Sequence, residues 1–578
     1  PGETFEITAP LDPTITTLNS VNLASDTSLN VSKSTETMDV DLGEGDDRID
    51  FGDTLVDDDI DGAGGDNVVR ALFEDNATRM PTMANIQTLE AEFSSSATFD
   101  GTNVDDLERA DVFGTGDVKN LDVTNQSPGP VDQDESGIAR TGATGRADFN
   151  EMDDTFKYVN IHDSQQGGVE VDYANGTEAD EVVFNLKGST APGASDLEAI
   201  DNGDQAFAYV GNDGNDSGLE ALNVRTVTVN HEGDTDWKVL NGIKVDDDGS
   251  TTTLNILNNS NNDLTLLEGV QGPNTPSVIV DGNRIETLRI ESFKQGDIAA
   301  PRQDSNVRND VLMAEAGGLQ EYIVKSATNS DIGLGVVGDE NPGQFPRGEP
   351  ATDLEKVDIH AGISSILDIA QIDAQGPGAG TVDQIMVKAD RDANIDLLGD
   401  DVGGSDSDWL EAASVNQMTL DAGDRATIEG DPGNAPSGPS DPFFGGPLDL
   451  IGLELNDRSA NSKIEIKGAG VVSGINFEDE NVAVIDATGL TGKNLPGVTI
   501  DHDSPGAASA ITFLGSDRDD FVNATNEADT LRGNDGDDTL NGGFDEDTFE
   551  FSASAEKNGT DQLGVDVTGG VFGDILDF

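Results

Sequence analysis

The chain has 578 residues, and 114 acidic against 31 basic side chains leave a formal charge of −83, which repels nucleic-acid phosphate and anionic lipid and excludes both as direct partners. Cysteine is absent, so there is no disulfide framework, thiolate metal site or cysteine nucleophile, and no apolar run approaches the roughly 18 residues that would predict membrane insertion. A hydrophobic fraction of 35% together with 68 glycines is too high for simple disorder, while the carboxylate excess requires cations if the chain is to become compact.

The predicted elements are almost all short β-type runs separated by Gly, Asp, Asn and Pro. In chain order, two Gly/Asp-rich nine-residue segments come first, residues 42–50 (LGEGDDRID) and 61–69 (DGAGGDNVV). They set Asp47 and Asp66 in equivalent places, with Gly43, Gly45, Gly62 and Gly64 in the turns ahead of them. A strand rhyme then recurs at residues 85–89 (NIQTL), 218–224 (GLEALNV), 284–290 (RIETLRI) and 353–359 (DLEKVDI). Strands of this kind without hairpin dipeptides favour stacked parallel coils, each burying its apolar side chains only against its neighbours. An array of β-sandwiches is the alternative. Residues 310–326 are the best helical candidate, interrupted by Gly317 and Gly318.

Pro/Gly-rich stretches at 126–145, 338–353 and 430–447 predict loops or domain seams. The expected division is an N-terminal β-solenoid with degenerate nonapeptides (1–130), two central β regions (131–350 and 351–500) and a C-terminal β-roll (501–578). Isolated weak copies of the nine-residue pattern lie at 175–183 (NGTEADEVV) and at 403–411 (GGSDSDWLE), which offers Asp408; for these a calcium turn and a plain turn stay open. Residues 213–218 (DGNDSG) resemble half an EF-hand loop, but Val224 stands where the bidentate glutamate belongs, which favours a solvated turn.

The strongest signal lies at 524–550, which divides into three contiguous units, ATNEADTLR, GNDGDDTLN and GGFDEDTFE. A fourth, 514–522 (LGSDRDDFV), precedes them after a one-residue slip. The sixth position is Asp519, Asp529, Asp538 and Asp547; the eighth is Phe521, Leu531, Leu540 and Phe549. Glycine and asparagine early in each unit permit positive φ, so a tight turn can aim its carbonyls inward. The aspartate adds a carboxylate to that ring, and hard oxygen donors suit calcium. Asp517, Gly533, Asp535, Gly536, Gly542 and Asp545 complete the candidate ligand set. If two units make one coil, turns two units apart stack, which predicts one Ca2+ between Asp519 and Asp538 and another between Asp529 and Asp547. Metal binding and folding should then be coupled.

These residues closely resemble the RTX (repeats-in-toxin) nonapeptide G-G-x-G-x-D-x-U-x, which implies a calcium β-roll. The tail, with Asn558-Gly559-Thr560-Asp561 and Asp574-Ile575-Leu576-Asp577-Phe578, is similar to the ends of such proteins and implies type I secretion. Degenerate nonapeptides joined by repeated strands also resemble calcium-dependent bacterial surface-layer proteins. That resemblance implies an extracellular structural protein, a homo-polymer forming a surface layer or filament, with cell-surface polysaccharide as a further candidate partner. An RTX-type adhesin or biofilm matrix protein is the alternative, and a β-helical polysaccharide-modifying enzyme a third. Only four histidines occur, none in H-E-x-x-H, and G-x-S-x-G is missing, so the chain is not expected to be an enzyme.

Overall fold

A computed structural model of the chain describes residues 4–74, 77–113, 146–162, 168–174, 179–187, 207–210, 218–239, 242–245, 251–266, 278–281, 284–299, 311–313, 316–338, 350–374, 381–397, 408–430, 451–455, 462–472, 475–478, 482–492, 495–502 and 509–550, with short strands at 132–133, 139–140, 562–564 and 575–577. Among these residues there is no helix, and the strands pair in parallel except for the small antiparallel pair Asp132–Gln133 and Ala139–Arg140. The chain is therefore an all-β parallel solenoid ending in a β-roll, and the sandwich alternative falls. The seam segments 126–145, 338–353 and 430–447 lie largely outside the described residues, as do residues 175–178, 213–217 and 403–407.

Two compact units form, Pro1–Pro273 with Ile279–Arg284 and Asn274–Val278 with Ile285–Phe578. In the first, alternation turns apolar residues of each strand to the inside, and equivalent residues of successive coils stack. One such column runs Leu29, Ile49, Val69, Leu89, Ala110, Val159, Phe184, Val229 and Ile256, each paired with the next in parallel register and all buried. Phe73 and Phe93 stack face to face at 4.5 Å in the same way. Polar residues ladder too: Asn185 donates to Asn160 (2.9 Å), Asn230 to Asn185 (2.8 Å) and Asn259 to Asn230 (2.7 Å). Burying a single apolar side chain this way contributes roughly 1.5–3 kcal/mol, and a coil has few neighbours besides the two it stacks on.

The second unit repeats the plan. Its inner column runs Leu288, Tyr322, Val357, Ile385, Met418, Ile464, Ile485, Phe513, Leu531 and Phe549 without a break. The helix expected at 310–326 does not form. Val311–Met313 and Glu321–Lys325 are strands, because Tyr322 and Val324 must alternate inward to meet Leu288 and Ile290 on one side and Val357 and Ile359 on the other. Gly317 and Gly318 lie in the turn between those strands.

Candidate functional site

The last coils consist of two strand columns. Thr512–Leu514, Thr530–Arg532 and Thr548–Glu550 pair in one sheet, and Phe521–Asn523 and Thr539–Asn541 pair in the other, at a spacing of 18 residues. Each strand is three residues long and points only its middle side chain inward. These are Phe513, Val522, Leu531, Leu540 and Phe549, all buried, whereas Phe521 is only half-buried. The one-residue slip predicted before residue 524 is therefore absent. Four units run in phase from 515 to 550, the first being GSDRDDFVN, with its sixth position at Asp520 and its eighth at Val522.

This register decides which aspartates face inward. Asp520, Asp529, Asp538 and Asp547 are at most 2% exposed, while Asp519 is exposed. Asp519 and Asp538 do not come together as predicted. Asp538 Oδ1 accepts from the Asp520 amide at 2.8 Å, and Asp519 instead accepts from the Asp537 amide at 2.7 Å on the outside. The other predicted pairing of turns does form, since Asp547 Oδ1 accepts from the Asp529 amide at 2.9 Å. Each inward aspartate thus bridges its own turn to the coil before it. Asp520 reaches back to the Val498 amide (2.7 Å) and Asp529 to the Ile511 amide (2.7 Å). Ser516 and Thr525 add amide and hydroxyl bonds to the same two carboxylates. Even so, burial pushes both Asp520 and Asp529 up to about 6. Two carboxylates in a dry wall favour a bound positive charge.

Carboxylate and carbonyl oxygens pack closely against the turn glycines, both within a turn and from the turn stacked on it, and only glycine leaves room for them. A Cβ on Gly533 would fall 2.1 Å from Asp538 Oδ2, and one on Gly542 would fall 2.2 Å from Asp547 Oδ2. At Gly536, whose φ is +145°, the same atom would sit 2.3 Å from the Arg518 carbonyl and 3.0 Å from Asp538 Oδ1. At Gly515 it would meet the Gly533 carbonyl at 2.2 Å and Asp520 Oδ2 at 2.7 Å. Mixed carbonyl and carboxylate oxygens with no nitrogen or sulfur are a donor set that fits calcium. No three His, Asp or Glu side chains converge among the described residues, so backbone carbonyls must supply much of any coordination shell. Asp517 and Asp545 are exposed and Asp535 half-buried in the turns; Asp545 takes φ 72°.

Arg518 was not singled out by the sequence. It occupies the fourth position, where Gly536 stands one coil later, and its side chain is buried. The guanidinium donates to the Pro496 carbonyl at 3.0 Å and to the Thr491 carbonyl. A protein cation thus fills the gap between the first repeat turn and the coil before it.

The 20-residue coils of the first unit use the same geometry. Asp47 Oδ1 accepts from the Thr27 amide (2.6 Å) and Oδ2 from Gly43 (3.1 Å). The residue equivalent to Asp47 one coil later is Asn67, not Asp66. Asn67 is fully buried and its Oδ1 accepts from the Asp47 amide at 2.9 Å, while Gln87 Oε1 accepts from the Asn67 amide at 2.8 Å. Asp66 is exposed, and its amide donates to Asp46 at 2.9 Å. The same one-residue displacement separates Asp519 from Asp520. Gly45 is buried in the turn, and the carbonyls of Gly62 and Gly64 point at the Asn67 amide nitrogen. On the opposite edge Asp58, unremarked in the sequence, accepts from the Met38 (2.7 Å) and Val56 (2.8 Å) amides, and burial raises its pKa.

Asp408 begins the strand Asp408–Ala412, whose rest of the turn lies outside the described residues. Among the histidines, His162 pairs with Asp111 (3.1 Å) and stacks on Phe113, and His360 pairs with Asp390 (3.1 Å). His231 is buried against the Thr235 carbonyl. No described helix is long and apolar enough to cross a membrane.

Residues 514–549 match the family model of the RTX calcium-binding nonapeptide repeat in four copies. The four in-phase turns are therefore RTX calcium-binding repeats, and calcium is their ligand. No curated protein and no solved structure matches the chain.

Proposed function

We propose that this RTX calcium-binding protein is an extracellular, non-enzymatic structural subunit that self-assembles into a surface layer or filament, exported by type I secretion. One observation carries the reading: the repeats are not appended to the solenoid but continue its two sheets. Ile485 stacks on Phe513 and then on Leu531, and Ile500 on Val522 and then on Leu540. Calcium bound between the turns neutralises the buried aspartates, and the stack it stabilises is that of the second unit itself rather than a separate sensor module. Calcium entry and folding of the roll are coupled, because the unfolded carboxylates repel one another. A calcium site built into the strand stack of its unit suits a load-bearing role in a calcium-rich exterior.

Electron microscopy of the purified chain in millimolar calcium, with and without excess EGTA, tests the reading. Ordered lattices or fibres that dissolve in EGTA are the expected result. A monodisperse monomer at all calcium concentrations would overturn it, and specific glycan binding by that monomer would establish the adhesin reading instead.

A further inference from the structure

We infer that the turn stack at residues 43–87 is a calcium site whose ion has been replaced by the side-chain amide of Asn67, so that of these two turn stacks only the one at 515–550 is under calcium control. Three backbone carbonyls converge on one nitrogen. Asn67 Nδ2 donates to Gly62 at 2.9 Å, to Gly64 at 3.2 Å and, from the following coil, to Asn85 at 2.8 Å. The side chain is fully buried, and a Cβ on Gly62 would fall 2.2 Å from the Asn85 carbonyl and 2.4 Å from Nδ2. The pocket is thus shaped by oxygens and filled by the amide.

The positional match with the repeats is close. Asn67 Oδ1 accepts from the Asp47 amide as Asp538 Oδ1 accepts from the Asp520 amide and Asp547 Oδ1 from the Asp529 amide. Ala63 and Asn534, each four residues before its inward side chain, both take positive φ (55° and 73°). At Asp538 the second side-chain atom is a carboxylate oxygen lying against Gly533, a group that can ligate a cation but cannot donate. At Asn67 that atom is a nitrogen with two N–H donors, which the three carbonyls share, the longest bond (Gly64, 3.2 Å) being part of a bifurcated one. A primary amide carries no charge, so it also removes the cost of an ionised carboxylate in a dry wall. Arg518, with its guanidinium on the Pro496 and Thr491 carbonyls, follows the same logic at the entry to the repeats.

The inference rests on calcium being the ligand of the 515–550 turns, and the experiment separates the two. Hydrogen exchange of the full chain is followed residue by residue in calcium and in excess EGTA. The expected result is that amides of 530–541 lose at least tenfold in protection while those of 48–52 and 68–73 change less than twofold. In the variant Asn67→Asp, equilibrium dialysis should count one more calcium per chain, and protection at 68–73 should become EGTA-sensitive. Equal loss of protection at 68–73 and 530–541 in the unmodified chain would overturn the inference. So would a folded Asn67→Asp chain with unchanged calcium stoichiometry. Should Asn67→Asp fail to fold, the unmodified chain still decides. A roll indifferent to EGTA would instead strike the calcium role of 515–550.

Discussion

Without calcium, the roll should be more stable in mild acid than at neutral pH, the reverse of ordinary acid denaturation. The groups responsible are Asp520 and Asp529, each raised by burial from 3.8 to about 6. A carboxyl that titrates higher in the folded state than in the unfolded chain binds its proton more tightly when folded. Its contribution is fully present below about pH 4 and is lost as pH rises through about 6. At about 1.4 kcal/mol per pH unit, each aspartate withdraws about 3 kcal/mol over that window, on the order of 6 kcal/mol for the pair. That is comparable with the whole stability of a small domain, about 5–15 kcal/mol. Calcium removes the penalty by pairing the ionised carboxylates, and below about pH 6 protons compete with it. The assay is hydrogen exchange of residues 521–541 in EGTA, expressed as protection factors so that the pH dependence of intrinsic exchange cancels. Global melting is unsuitable, since a chain of two units need not unfold in one step. Protection should fall by two or more orders of magnitude between pH 5 and 7.5 in EGTA and stay nearly constant in millimolar calcium. Protection that is flat or rising across that range without calcium would refute the reasoning.

The comparison of Asn67 with Asp538 predicts the reverse exchange as well: Asp538→Asn should bind one calcium fewer by equilibrium dialysis, yet keep residues 539–541 protected in EGTA within about threefold of the calcium-loaded parent. Away from the repeats, Arg146 clamps three coils of the first unit, bonding Asp148 (2.7 Å), Glu220 (2.7 Å) and Glu170, while Lys244 reaches Glu220 at 3.0 Å. Burial alone would raise Glu220, but Arg146 and Lys244 hold it below its ordinary value. Arg146→Met should therefore cost about 3 kcal/mol at pH 7 by leaving part-buried carboxylates under-compensated. The loss should shrink as pH falls through the carboxylate range, read as the pH dependence of protection at 169–173 and 219–222.

Much of this architecture was legible because its physics is periodic. The strand rhyme at 85–89, 284–290 and 353–359 lands in equivalent places, each leading into a strand of an inner apolar column through Leu89, Leu288 and Val357. Nine-residue spacing likewise found the roll. The false helix at 310–326 shows the limit of local pattern: Tyr322 and Val324 are placed by residues 34 and 35 positions away in sequence, which no local window contains.

The two misplaced aspartates have a common cause that bears on reading such repeats. Asp519-Asp520 and Asp66-Asn67 each offer two adjacent polar side chains, and a strand or tight turn sends neighbours to opposite sides. Sequence similarity to a consensus scores both alike, so Leu514 in the first position drew the frame one residue early. What breaks the tie is the wall behind the turn. The inward apolar residue lies two positions after the inward polar one, at Val522 after Asp520 and Val69 after Asn67, and both valines are buried. Counting back in nines from Leu531 reaches Val522 and hence Asp520, so the signal was present in the sequence. The 20-residue coil of the first unit has no such nine-residue ruler, and there an asparagine stood where an aspartate was sought. The side chain that a calcium motif would score as a defect is the one that closes the turn.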